Sequence, residues 1–141
     1  MLFRGFLVLV VALALVLMTV VVVRDARAAV SELPMLSIPA LGLRQPLSRN
    51  VDRGPVLYWR DGDTYGIAGH RTTHGAPFRR LNELTPGTKL WVDGRAFVVA
   101  RQVRVRPWDT WILNWRGVVM TACDPPGSDH YRLAVLAREV T

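Results

Sequence analysis

Two apolar runs separated by a turn-rich insert set the tightest constraint on the fold. Val118-Val119-Met120-Thr121-Ala122 and Leu133-Ala134-Val135-Leu136-Ala137 flank the stretch from Cys123 to His130, which contains Pro125-Pro126-Gly127-Ser128-Asp129. Short apolar runs bounded by turn residues read as strands, and two of them joined in this way read as a hairpin with a longer loop. Cys123, the only cysteine, ends the first run, and Tyr131-Arg132 opens the second. The hairpin therefore predicts Cys123 and Arg132 at the same end of neighbouring strands. A thiol and a guanidinium so placed can act as nucleophile and anion-stabilising donor. The best candidate for their proton-transfer partner is His70, upstream.

The chain between Met35 and Val105 is β-like and frequently punctuated. Leu36-Ser37-Ile38-Pro39, Leu41-Gly42-Leu43 and Gln45-Pro46-Leu47 carry prolines that place them at strand ends or sheet edges. Val56 to Trp59 reads as a short strand between the Gly54-Pro55 and Asp61-Gly62 turns, and Tyr65 to His70 as a strand ending at the histidine. Pro77 opens a predicted short helix through Phe78, Leu81 and Leu84, which fall three apart on one face. Lys89–Val92 and Phe97–Val105 are two further strands, joined through the hairpin signal Asp93-Gly94. Arg106 to Trp115 is a loop holding Trp108, Trp111 and Trp115, which either line a peptide groove or plug one end of the sheet. Many short strands with one clear short helix point to a closed or nearly closed β-barrel.

The amino-terminal part reads differently. Gly5 to Val23 is a run of nineteen uncharged residues, long enough for one membrane-spanning helix at about 1.5 Å per residue across a core of about 30 Å. A cleavable signal peptide is the competing reading, because Ala26-Arg27-Ala28 fits a small-x-small cleavage pattern. Its apolar core is usually about 7–15 residues, shorter than this run. Arg4 lies on one side and Arg24 and Arg27 on the other, so flanking charge does not fix the orientation. Residues 1–29 are thus expected to form a signal-anchor and short linker, and residues 30–141 one small domain outside the cytoplasm. The net charge is +7. Three arginines and one aspartate in the first 29 residues supply +2, leaving +5 on the domain, which serves solubility or attraction to anionic surfaces. A lone cysteine outside the cytoplasm cannot form an internal disulfide, so it is either buried or used.

Together these residues resemble the sortases, membrane-anchored cysteine transpeptidases. The resemblance rests on an apolar anchor, a histidine in GHRTTHGAPF at His70, a strand-end cysteine in VVMTAC at Cys123, and an arginine nine positions later at Arg132. It covers about Leu36 to Val140, and the His-Arg-Thr-Thr run looks most like the class E group. It implies an eight-stranded β-barrel with one or two short helices. It also implies cleavage of an LPXTG- or LAXTG-like sorting motif between Thr and Gly through a thioacyl-enzyme, and transfer to an amine of the cell wall or a pilin. In that scheme Cys123 is the nucleophile, His70 the general acid and base, and Arg132 the holder of substrate and oxyanion. Thr121, Ala122, His74 and Trp108 are candidate substrate contacts. The family's cysteine motif usually reads TLxTC, and here Ala122 stands where threonine usually precedes the cysteine.

The other polar residues receive plainer readings. His70, His74 and Cys123 could be taken as zinc ligands, but Gly69, Gly75 and Pro77 make this stretch a loop rather than a helix, and no metal is assigned. No carboxylate cluster of the kind calcium requires stands out, and no cofactor is expected. Asp124 beside the thiol is given no catalytic role, no carboxylate is assigned to orient His70, and His130 is read as an exposed turn residue. Ala122 keeps a second function open, a sortase-like domain that binds peptides without turning them over. Papain-like wall peptidases place Cys before His in the chain, the reverse of the order here. An exported basic domain without base-stacking motifs excludes nucleic acid as partner.

Overall fold

The computed structural model describes residues 8–19 and 33–141. Residues 8–19 are helical, with apolar side chains exposed. Among the described residues no helix is long and apolar enough to cross a membrane. The membrane-spanning helix expected over 5–23 therefore rests partly on residues outside those described, as does the linker.

Residues 33–141 fold into one eight-stranded sheet. Its strands are β1 (Met35–Ile38), β2 (Leu43–Pro46), β3 (Val56–Asp61), β4 (Thr64–Ala68), β5 (Lys89–Val92), β6 (Arg95–Val105), β7 (Val118–Asp124) and β8 (Tyr131–Glu139). The order across the sheet is β2-β1-β5-β6-β8-β7-β4-β3. The expected strand number is met, but the sheet curls without a full closing ladder. Its two edges approach through one parallel bridge between Ser48 and Val56. Ser48 N donates to Pro55 O at 2.7 Å and Leu57 N to Ser48 O at 3.2 Å.

The long strand β6 explains the curl. Its first residues pair with β5, while Phe97 to Val105 pair with β8, and the β8 register slips between Val99 and Arg101. Such a bulge bends a strand and increases its twist. The β5–β6 turn follows the predicted hairpin, with Asp93 at φ 54° and Gly94 at φ 78°.

Alternating side chains build two apolar layers. The inner one gathers Leu36, Ile38, Tyr65, Phe78, Leu90, Phe97, Met120 and Val135 among others. The outer one joins Val105, Val119, Ala134 and Leu136 to Ile112, with Trp115 packed against them. The loop expected to line a groove or plug an end thus splits its tryptophans. Trp115 covers the outer face and donates its Nε1–H to Ala137 O at 2.8 Å, whereas Trp108 and Trp111 are exposed.

Two expectations about local structure are corrected. The helix through Phe78–Leu84 is a series of turns ending in a 3-10 turn, Leu81–Glu83, although Phe78, Leu81 and Leu84 are fully buried as the three-residue spacing requires. A 3-10 turn brings residues three apart over one another, so the apolar spacing does not distinguish it from an α-helix. Strand β4 stops at Ala68 rather than His70. Beyond it, a Cβ on Gly69 would lie 2.6 Å from the buried ring of Phe78. Gly69→Ala is expected to destabilise the purified chain by about 1–3 kcal/mol, the usual cost of overpacking, measured by urea unfolding beside the wild type.

Candidate active site

The one parallel pair among the described strands decides which residues meet. β4 runs parallel to β7, with Gly66 opposite Val119 and Ala68 opposite Thr121. Parallel neighbours need a long crossover and bring their carboxyl ends to one side. The segment that follows β4 therefore emerges where β7 ends in Cys123. On the other flank β7 is antiparallel to β8, and Cys123 lies directly opposite Arg132. Extending the β4 register two residues past Ala68 puts His70 level with Cys123. Three consecutive strands thus present His70, Cys123 and Arg132 side by side.

Hydrogen bonds on both sides of His70 hold its loop against β7. Gly69 N donates to Thr121 O at 3.1 Å, and Arg71 Nη1 donates to Cys123 O at 3.0 Å. Arg71 is only 7% exposed. The same nitrogen reaches Asp124 Oδ1 at 3.2 Å, and Nη2 donates to Asn82 Oδ1 at 3.0 Å. Asp124 is gripped from its other oxygen by Arg104 Nε at 2.5 Å. The carboxylate beside the thiol is therefore matched by two guanidinium groups. Charge-assisted forks of this kind are among the stronger polar contacts.

The imidazole of His70 points to Asp52 rather than to the thiol. His70 Nε2 lies 2.8 Å from Asp52 Oδ1, and the ring of His74 stacks on that of His70 with centroids 4.8 Å apart. Asp52 is set in place locally. Ser48 Oγ accepts from Asn50 N at 3.0 Å, and the Asn50 side chain caps the 3-10 turn Val51–Arg53 by accepting from Asp52 N at 2.9 Å. The hydrogen bond from His70 is the main cause that holds the Asp52 carboxyl below its ordinary value, with both histidines adding charge attraction. Asp52 is consequently a carboxylate throughout the neutral range.

The remaining candidates divide by face. Thr121 and Cys123 share the outer side of β7 with Val119, whereas Ala122 packs in the inner layer with Met120 and Leu133. The Tyr58 phenol lies across Gly66 and is pushed up by burial, while a hydrogen bond with Thr121 opposes that rise. Arg132 is half-buried and donates from Nη1 to Tyr131 O at 3.1 Å. Trp108 is 69% exposed in the connection that leaves β6 beside Arg132, with the Arg106 guanidinium over its ring. His130 is an exposed turn residue whose Nδ1 meets Ser128 Oγ at 2.6 Å. A concavity of about 1080 Å³ lies elsewhere, around Trp59, Asn114, Arg116 and Gly117 at the opposite end of β7.

Sequence reasoning missed two members of this constellation. Asp52 lies eighteen residues from His70 and carries no motif, so it became visible only through the fold. Arg71 had a signal in its direct adjacency to His70, as did Asp124 beside Cys123. An arginine and an aspartate flanking the two key residues foreshadow an ion pair that joins their strands.

A strand-end cysteine, an arginine on the neighbouring strand and a histidine in the loop after the parallel strand thus meet on one curled eight-stranded sheet. The Sortase domain matches residues 36–140, and the chain belongs to the sortase family. It is similar to sortase SrtE1 of Streptomyces coelicolor, with 28% identity over 139 residues, 75% of this chain and 40% of that relative. The chain therefore spans about two fifths of that relative's length. The crystal structure of Streptomyces coelicolor sortase E1, with a tripeptide in its active site, matches at TM-score 0.68 and 26% identity, covering 78% of this chain and 88% of that one. Sortase A of Corynebacterium diphtheriae, as a lid mutant, matches at TM-score 0.67 and 21% identity over 77% and 70% of the two chains. Sortase C-1 of Actinomyces oris does so at TM-score 0.67 and 22% identity over 77% and 71%. The family assignment and the class E likeness thus agree with the sequence reading.

Arg71→Ala is expected to lower unfolding stability by about 1–3 kcal/mol, because it leaves Cys123 O and Asn82 Oδ1 without that donor while Arg104 still pairs with Asp124. Arg71→Lys should recover little of this, since an ammonium cannot fork to Cys123 O, Asp124 and Asn82 together. Thermal and urea unfolding of the two variants checks both statements.

Proposed function

We propose that the chain is a membrane-anchored cysteine transpeptidase acting on a sorting motif of the LPXTG or LAXTG kind. In this reading residues 1–29 are the anchor and linker, and residues 30–141 are the catalytic domain, facing outward from the cell membrane. Its partners are proteins with a C-terminal sorting signal and an amine acceptor in peptidoglycan or a pilin. The observation that carries the reading is the alignment of the His70 loop, Cys123 and Arg132 on three adjacent strands.

In the proposed reaction the Cys123 thiolate attacks the carbonyl carbon of the motif's Thr. Negative charge gathers on that oxygen, where the Arg132 guanidinium stabilises it. The carbon–nitrogen bond to Gly breaks as His70 protonates the departing amine, leaving an acyl group on sulfur. An incoming amine attacks the thioester, His70 takes its proton, and the thiolate is released. Asp52 accepts a hydrogen bond from Nε2–H of His70, which leaves the Nδ1 lone pair for proton transfer, the logic by which a buried carboxylate orients a catalytic histidine elsewhere. Thr121, His74 and Trp108 border the substrate in this scheme, whereas Ala122 is buried in the inner layer away from it.

Intact-mass spectrometry of the purified chain with LPXTG and LAXTG peptides is the direct test. A thioacyl adduct on Cys123, discharged by an added amine and absent from Cys123→Ala, is the expected result. The second reading, a peptide binder without turnover, is favoured by the placement of Ala122 in the inner layer, where no hydroxyl is offered at the usual threonine position. It predicts peptide binding with no adduct. Asp52→Asn should lower kcat by about 10–100-fold with little change in KM, part of the 10²–10⁴-fold that general acid–base catalysis supplies.

A further inference from the structure

Acyl transfer uses His70 and, through it, Asp52, yet the structure brings a third donor to the same point. We propose that Asp52, His70 and His74 form a binding site for a divalent first-row transition metal of the zinc type. The ligands would be a carboxylate oxygen of Asp52, Nε2 of His70 and Nδ1 of His74.

The three donor atoms lie within 4.8 Å of one another. Both imidazole nitrogens converge on the same oxygen, His70 Nε2 at 2.8 Å and His74 Nδ1 at 3.7 Å from Asp52 Oδ1. A metal with bonds of about 2.0–2.1 Å holds tetrahedral ligand atoms about 3.3 Å apart. Each oxygen–nitrogen pair is within about 0.5 Å of that spacing, and the widest pair closes by a side-chain rotation in an exposed loop. Two imidazoles and one carboxylate suit zinc, cobalt, nickel or copper, whereas calcium and magnesium take all-oxygen sets. The side chains of His70, His74 and Asp52 are 27%, 48% and 52% exposed, so a hydrated ion reaches them and keeps water in its open position.

The backbone is arranged to deliver His74. His74, Gly75 and Ala76 take φ values of 51°, 79° and 43°, three left-handed residues in succession of which two carry a Cβ. This is a sparsely populated conformation for such residues. It turns the chain so that the His74 ring stacks on His70, with 28° between the planes. Separation by four residues serves metal binding on a helix, and here a left-handed turn achieves the convergence in a loop.

The consequence for activity rests on the transpeptidase reading. A metal on Nε2 takes the lone pair there and forces the ring proton onto Nδ1. A neutral imidazole in that tautomer has no lone pair left to accept a proton. Metal occupancy would thus switch the enzyme off without touching Cys123.

The test is titration of the purified chain in detergent with zinc, by calorimetry, and with cobalt, by visible absorption. One site per chain is expected, with cobalt d–d bands and no thiolate-to-cobalt charge transfer, unchanged in Cys123→Ala. His74→Gly, which keeps the positive φ and removes the ligand, and Asp52→Asn should each weaken binding by at least about tenfold, with circular dichroism confirming a wild-type fold. No saturable binding, binding indifferent to both substitutions, or loss of binding in Cys123→Ala would overturn the proposal. Zinc should suppress thioacyl formation in the wild type and, relative to its own zinc-free rate, much less in His74→Gly. Equal suppression in both refutes the switch. If no peptide forms an adduct at all, the transpeptidase reading fails while the titrations still decide the site.

Discussion

The pairing of β4 with β7 is the constraint on which the rest depends. Among the described strands it is the only pair that runs in the same direction, and it is bridged by a crossover that includes β5 and β6. Without it, the histidine loop and the cysteine would leave opposite ends of the sheet. Register adds the second condition, because a slip by one residue would turn Cys123 into the inner layer and Ala122 outward. Apolar alternation prevents this slip, since Val118, Met120 and Ala122 fill one core and Val119 belongs to the other.

Polar contacts then refine what the sheet has placed. Arg71 reaches across from the loop after β4 to the carbonyl of Cys123 itself, fixing separation where register alone fixes only level. Its guanidinium is shared among three acceptors, and its buried Nε–H finds no protein acceptor among the described residues. A buried polar group left unpaired costs stability. The fork is therefore retained for the positions it enforces more than for net stabilisation, in keeping with the modest or negative balance of many buried ion pairs. Asp52 plays the corresponding part for the ring of His70, held by a short cap in which Ser48 and Asn50 each satisfy a backbone N–H.

How much of this was legible in the sequence follows from the range of each interaction. The final hairpin was readable because its signals are local: two apolar runs and a proline-glycine turn cluster place Cys123 opposite Arg132. The strands around Asp93-Gly94 were readable for the same reason. The segment around Phe78 was right in which residues it buries and wrong in helix type, because spacing by three is common to both. Closure was overestimated, since nothing in the residues near Ser48 and Val56 tells one bridge from a full ladder. Asp52 was invisible, because its role is set by a meeting of chain segments on different elements. The His70–His74 pair shows the opposite case, in which glycine and proline correctly announced a loop and concealed that a loop can bring two rings together.

The sequence separation of the site's contacts also bears on when the site comes into being. The link from Arg71 to Cys123 spans 52 residues, and the hairpin that carries the thiol, β7 and β8, belongs to the last quarter of the chain. Contacts between distant residues form late, because the closure entropy of the intervening chain must be met first. As the polypeptide emerges from its amino terminus, strands β1 to β6 can collapse and pair while the histidine loop still has no β7 to dock against. The thiol thus meets the histidine loop and Arg132 only in the completed domain, and a partly synthesised chain holds the three residues apart.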